Sequence, residues 1–165
     1  MRRRVVVGVD ASPASARALC WAYGEACREG ATLEVVTAYR LLPMISPVDG
    51  CSLALDAAES RRSAECVQHE VLRDELGRDA ADPRIERVVA AGLPWTVLVQ
   101  RARTAALLVV GRRSSRMRRL LTGSTSKRCA NRASCPVVIV RGPKHGGREP
   151  VLVGDASVPR TTLHR

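Results

Sequence analysis

Two stretches of this 165-residue chain hold residues whose types and spacing suit chemistry. The first is "VVVGVDASPAS", residues 5–15, where an apolar run ends in Gly8, Val9 and Asp10. Four valines around one glycine read as a short strand covered on both faces, as in parallel sheets. Ser12 followed by Pro13 reads as a helix start, with Ser at the N-cap and Pro at the first helical position. Asp10 therefore stands between the carboxyl end of a strand and a helix, which is where open α/β sheets bind ligands. The same residue is equally well explained as a cap on its own turn. The second stretch is "GRRSSRMRRLLTGSTSK", residues 111–127. Gly111 is expected to let the backbone turn where a strand ends. Gly123 followed by Ser124, Thr125 and Ser126 puts a glycine and three hydroxyls at a helix start, where free N–H groups and the helix dipole suit an anion. The alternative is a plain helix cap preceded by a basic loop. Neither stretch is a Walker A loop or a GxGxxG dinucleotide fingerprint.

The elements that must position these residues follow from hydrophobic periodicity. A helix is predicted over about 13–29, with Ala16, Leu19, Cys20, Tyr23, Ala26 and Cys27 on one face and Gly30 as its stop. "ATLEVVTAY" is a second strand, and residues 40–51, with Pro43, Pro47 and Gly50, read as a loop. A helix is predicted over about 52–77, then a strand "RIERVVAAG", a short helix from Pro94, a strand "AALLVVG", a helix over about 124–133 and a last strand "CPVVIV". Strands and helices alternate throughout, and the strands are almost purely apolar. This is the pattern of a doubly wound parallel sheet in one α/β domain. Right-handed crossovers then bring Asp10, the Thr37–Ala38 end of strand two and Gly111 to one edge.

Composition narrows the chemistry. Aromatics make up 2% of the chain and Phe is absent, so Val, Leu, Ala and Ile must build the core. No apolar run approaches the roughly 18 residues that a membrane span needs. The basic "MRRR" is followed by an apolar stretch broken at Gly8 and Asp10, which does not fit a signal peptide. Six cysteines without a CxxC pair are expected to be small buried hydrophobes in a reducing cytoplasm, and the three scattered histidines support no metal site. The net charge of +11 is uneven: residues 87–148 hold 14 Lys/Arg and no acid. Such a segment attracts an anion. Nucleic acid is a poor fit, because aromatics for stacking and any helix-turn-helix, RRM or zinc-finger pattern are lacking. No base or nucleophile stands near Gly111 or Gly123 in sequence, so no catalytic residue is assigned.

The opening "VVVGVDASPAS", the "LLVVGRR" strand, the Gly-Ser start of the last helix and the closing "CPVVIV" together resemble the universal stress protein family, over roughly residues 3–141. The resemblance implies a Rossmann-like, adenine nucleotide alpha hydrolase-like fold: a five-stranded parallel sheet in the order 3-2-1-4-5. It also implies an ATP-binding stress-response or signalling protein without fast catalysis, with any Mg²⁺ carried by the phosphates. Carried across, Asp10 faces the adenosine with Gly8 and Val9 lining the approach, and Ala38 falls where adenine is contacted. Val110, Gly111, Arg113, Ser114, Gly123, Ser124, Thr125 and Ser126 match the phosphate-binding loop and helix start. Many members carry the loop pattern G-x2-G-x9-G-[ST]; here Ser114 replaces the second Gly, only eight residues (115–122) precede Gly123, and Ala11 follows the aspartate. Arginines 112, 113, 116, 118 and 119 offer a direct substitute for lost phosphate contacts, or form a solvated basic loop. A nucleotide-free interaction protein with a degenerate loop is the alternative function.

In the 3-2-1-4-5 order the strand "PVVIV", residues 136–140, lies at a sheet edge with no Lys or internal Pro to protect it. A homodimer through this strand is expected, as the resemblance also implies. The competing expectation is that the tail covers the edge from within the chain, through "VLVG" at 151–154. The domain is placed at residues 1–142 and the tail at 143–165. Within the tail "EPVLVGDASVPR" echoes the N-terminal strand and reads as either the remnant of a second copy or a chance echo.

Overall fold

The computed structural model describes residues 3–40, 43–45, 52–54, 57–112, 125–141 and 151–153. The chain begins with β1 (Arg4–Gly8), α1 (Pro13–Glu29) and β2 (Thr32–Tyr39). A small antiparallel pair follows, β3 (Pro43–Ile45) with β4 (Ser52–Ala54), and then α2 (Ala57–Leu76). β5 (Ile85–Ala91), α3 (Pro94–Arg101), β6 (Leu107–Arg112), α4 (Thr125–Arg132) and β7 (Val137–Arg141) complete the alternation, and β8 (Val151–Val153) closes it.

The main sheet runs β5-β2-β1-β6-β7-β8. Its first five strands are all parallel, so the order 3-2-1-4-5 expected for five strands is the order observed. Valine supplies the reason. Alternate residues of each strand point to opposite faces, and both faces are covered. Val5, Val7, Leu33, Val35, Val109 and Val138 pack beneath α1 and α2 with Ala18, Leu19, Ala22 and Leu72. Val6, Val36, Leu108, Val110 and Val137 pack on the other face with Val97, Leu98 and Cys129 of α3 and α4. Each such fully buried valine contributes about 1.5–3 kcal/mol against leaving it exposed.

α1 begins and ends as its sequence dictates. The Ser12 hydroxyl accepts from the Ser15 N–H, Pro13 opens the helix, and Gly30 closes it in the left-handed region at φ +61°. Its buried stripe runs through Ala14, Ser15, Ala18, Leu19, Ala22 and Ala26. Cys20 and Cys27, expected on that face, are exposed, as is Cys66 on α2. Only Cys129 and Cys135 are the buried hydrophobes expected of the cysteines, and Cys51 lies outside the described residues.

Three further expectations change. Residues 40–51, read as a loop, contribute β3, and β4 follows at Ser52, so α2 starts at Ala57 rather than at about 52. Strands of three residues are too short to show an alternation. A sixth strand joins the sheet: β8 pairs antiparallel with β7, Val137 opposite Val153, Val138 opposite Leu152 and Ile139 opposite Val151. The β7 edge left open by the five-stranded reading is therefore covered by the chain's own tail. Finally, the strand expected to stand as an unprotected apolar edge has Val138 fully buried under α1.

Candidate functional site

The strand order reverses at β1, with β2 on one side and β6 on the other. The crevice outside the carboxyl ends of β1 and β6 is thus the topological switch point, the usual ligand position in open α/β sheets. Gly8 pairs with Val36 on β2 and with Val110 on β6. One step further, the Val9 N–H donates to the Val36 carbonyl at 2.9 Å, and the Thr37 hydroxyl donates to the Val9 carbonyl at 3.1 Å. Asp10 then leaves the sheet. Ala38, half-buried and opposite Ala90 of β5, follows Thr37 at the same edge.

Hydrogen bonds fix Asp10 in a tight turn. Its Oδ1 accepts from the Ser12 N–H at 2.9 Å. The Asp10 N–H donates to Ser15 Oγ at 3.1 Å, and that hydroxyl donates to the Asp10 carbonyl at 2.5 Å. The capping role that the sequence allows for Asp10 is present. The side chain remains half-buried at the mouth of the crevice. Behind it, Gln68 of α2 is buried and its Nε2 donates toward the Val35 carbonyl (3.0 Å), the Val88 carbonyl (3.1 Å) and Thr37 Oγ1 (3.2 Å). A chain of contacts from α2 through Thr37 to Val9 therefore anchors the backbone on which Asp10 is mounted.

Gly111 acts differently from the expected turn. It is not among the described glycines with positive φ, which are Gly30, Gly77 and Gly92. Instead a Cβ at Gly111 would meet the Ala14 carbonyl carbon and oxygen at 2.5 Å and the Ser15 nitrogen at 2.7 Å. The glycine lets the end of β6 lie directly against the first turn of α1. This brings Gly111 and Asp10, on either side of the Ser12–Ser15 turn, to one end of the crevice. Gly8 is also a packing glycine, since its Cβ would meet Leu98 Cδ1 at 2.8 Å.

The other predicted site residues divide. Val9 and Val110 are buried in the two cores, so any contact they make with a ligand is through their backbone. Thr125 and Ser126 open α4, with Thr125 half-buried and Ser126 buried. Arg113, Ser114, Gly123 and Ser124 lie outside the described residues, while Arg112 ends β6. Sequence reasoning missed the supporting roles of Gln68 and Ser15. A polar residue on the otherwise apolar stripe of Ala64 and Leu72 was the available signal for Gln68. Among the described residues no group of three His, Cys, Asp or Glu is placed to hold a metal, and no helix is long and apolar enough to cross a membrane.

Comparison with known proteins adds an independent line. The model of the Universal stress protein family matches residues 1–141. Universal stress protein Rv3134c of Mycobacterium tuberculosis is 32% identical over 138 residues, spanning 84% of this chain and 48% of that protein. Universal stress protein Rv2005c of the same species is 34% identical over 139 residues, spanning 83% and 45%. The chain thus spans about half the length of these relatives. Among solved structures, a universal stress protein in complex with cAMP is 28% identical with a TM-score of 0.55, over 85% of this chain and 97% of that one. UspA from Lactobacillus plantarum, 22% identical, shares the fold with a TM-score of 0.62 over 86% and 99%.

Proposed function

This chain belongs to the universal stress protein family, and from that premise we propose that it binds an adenine nucleotide, ATP in particular, at the crevice between β1 and β6. The observation that carries the reading is the seating of Gly111 on the first turn of α1, which sets the end of β6 beside the Asp10 turn. Asp10 and Ala38 are the nucleoside end of this site. Gly111, the 113–124 segment with Arg113, Ser114, Gly123 and Ser124, and the Thr125–Ser126 start of α4 are its phosphate end. The N-terminus of α4 lacks acids in its first turn and suits an anion. The cAMP bound by the 28%-identical structure supports an adenine ligand. Any Mg²⁺ is held by the phosphates. The protein acts as a nucleotide-responsive stress or signalling module of the cytoplasm without fast turnover, and self-association through residues 136–140 requires β8 to leave the β7 edge.

Calorimetry with ATP and with inorganic tripolyphosphate tests the site. Asp10→Ala is expected to weaken ATP about tenfold or more, a loss of about 1.4 kcal/mol or more, while sparing tripolyphosphate. Asp10→Asn keeps an acceptor for the Ser12 N–H and separates loss of the turn from loss of the carboxylate. Gly123→Val is expected to abolish both ligands. Equal weakening of ATP and tripolyphosphate by Asp10→Ala reduces Asp10 to a structural cap. Absence of ATP binding by the unaltered chain leaves the nucleotide-free interaction module as the function.

A further inference from the structure

We propose that the groove between α2 and β5 is a binding site for a small hydroxylated oxyanion, separate from the nucleotide crevice and independent of nucleotide binding. Arg61, Glu65, Gln68 and His69 of α2 and Arg87 and Val89 of β5 line a cavity of about 370 Å³. That size lies within the range of small-molecule sites. β5 is the outermost strand at its end of the sheet and pairs with β2, so the groove opens at a sheet edge. Arg87 and Val89 stand opposite Val35 and Thr37 in the register and share the face of the sheet that α2 covers.

Gln68 marks the groove as a site. It is only 3% exposed. Its Nε2 faces the Val35 and Val88 carbonyls and Thr37 Oγ1, three acceptors for two N–H groups. A carboxamide is planar, so with its nitrogen committed to the strands Oε1 turns the other way. Among the described residues no donor meets that oxygen. It is also not sealed from solvent, which puts it at the groove wall that Gln68 lines. A hydroxyl or N–H in the groove is what completes it.

The rest of the lining supplies donors. Arg61 gives its Nε to Glu65 Oε1 at 2.8 Å, and its two Nη groups have no partner among the described residues. Arg87 gives Nη2 to the Ala80 carbonyl at 3.0 Å and Nη1 to His69 Nδ1 at 3.4 Å, which leaves its Nε. Arginine only donates, so His69 accepts at Nδ1 and carries its proton on Nε2 as a further donor. Two guanidinium groups against one carboxylate leave the lining with positive charge in excess, the sign that selects an anion. The guanidinium fork suits phosphate and carboxylate oxygens alike. One acceptor among these donors calls for a ligand that also carries a hydroxyl, and Val89 offers an apolar wall to a short carbon chain. The class that fits is a short phosphorylated or carboxylated polyol.

Nitrogen-15 NMR titration of the full chain tests the site. Glycerol phosphate is the probe, glycerate separates carboxylate from phosphate, and methyl phosphate is a phosphate without a hydroxyl. The Gln68 side-chain amide and the Arg87 Nε–H signals are expected to move saturably with glycerol phosphate, with glycerate or with both. Methyl phosphate is expected to bind about tenfold more weakly than glycerol phosphate, because it leaves Gln68 Oε1 unserved. Arg61→Gln is expected to weaken the probe by about tenfold. Arg61 is exposed and its described hydrogen bond is to Glu65, so an unchanged melting curve shows that the variant keeps the fold. Thr125 and Ser126 signals that move while those of Gln68 and Arg87 stay still put the anion at the crevice and overturn the proposal. An Arg61→Gln chain that binds the probe as the parent does overturns it too, as does methyl phosphate binding as tightly as glycerol phosphate. Calorimetry with ATP decides the crevice separately.

Discussion

Adding one methyl group at each of three glycines separates the reasons for which this fold uses glycine. At Gly111 the new Cβ lies 2.5 Å from backbone atoms of Ala14, about 0.9 Å short of ordinary contact. Backbone in the first turn of α1 has no rotamer to escape into, so β6 and α1 must part. Overpacking of a tight core costs about 1–3 kcal/mol, and an encounter with backbone belongs at the top of that range. At Gly8 the nearest atom, 2.8 Å away, is the end of the Leu98 side chain, which can turn aside, so under 1 kcal/mol is expected there. Gly24, exposed in α1, has nothing within 4 Å, and alanine there gains about 0.5–1 kcal/mol of helix stability. For a chain of this size about 1 kcal/mol moves Tm by roughly 2–4 °C. Calorimetric melting should therefore show Gly111→Ala lower by about 6–12 °C, Gly8→Ala little changed and Gly24→Ala higher by about 1–4 °C. ATP affinity should fall only for Gly111→Ala, whose strain separates the two sides of the crevice. A Gly111→Ala protein that melts with the parent and binds ATP as the parent does would refute the close seating of β6 on α1.

Two further outcomes follow from charged groups. Glu34 is fully buried in β2 and holds Arg4 Nη1 at 2.9 Å and Arg101 Nε at 2.6 Å, so Glu34→Ala strands two guanidinium groups. Breaking an enclosed pair costs about 3–5 kcal/mol; the two arginines are 27% and 39% exposed and can turn to water, so about 2–3 kcal/mol is expected in urea unfolding, and a loss under about 0.5 kcal/mol would disprove the network. Asp82 is held below its usual carboxylate value by the Arg84 N–H, with the Arg84 side chain and the Tyr23 hydroxyl also lowering it. Its folded value is the lower one, so its contribution is complete above the unfolded value of about 3.9 and disappears as pH falls through the folded value. Stability measured against pH should decline less steeply on the acid side in Asp82→Asn, and an unchanged acid limb would remove Asp82 from that linkage.

What the chain disclosed in its sequence tracks how local each cause is. The parallel strands are runs of valine and leucine long enough to announce themselves, and Ser12-Pro13 and Gly30 bound α1 by local chemistry alone. The edge that holds Asp10, Ala38 and Gly111 followed from chirality. The reason for Gly111 did not, because its constraint is Ala14, a neighbour nearly a hundred positions away in sequence. Glu34 escaped notice for the same reason: a lone acid in "ATLEVVTAY" looks like an exposed position until Arg4 and Arg101 converge on it across the sheet. β4 was hidden because Leu53 and Ala57 imitate a helical spacing across the junction of a strand and a helix. The exposed cysteines of α1 show the limit of a periodicity read without a partner. A stripe of alanines packs more closely than the larger residues beside it, and it took the buried face.

The scarcity of aromatic rings has an optical consequence. Only two tryptophans occur in the chain, and they report from opposite faces of the sheet. Trp21 packs against the α1 side. The Arg132 and Arg128 guanidinium groups of α4 lie over the Trp95 ring, at 5.0 and 5.4 Å from its centre. Two cations against one indole bias its excited state, and both ride on the helix that begins at Thr125. Any displacement of that helix changes the field at Trp95 while Trp21 stays as a fixed reference. The chain thus carries a native fluorophore on α3 against the helix assigned to the phosphate end of the crevice and a second one away from it, and titrations can be followed by emission without attaching a dye.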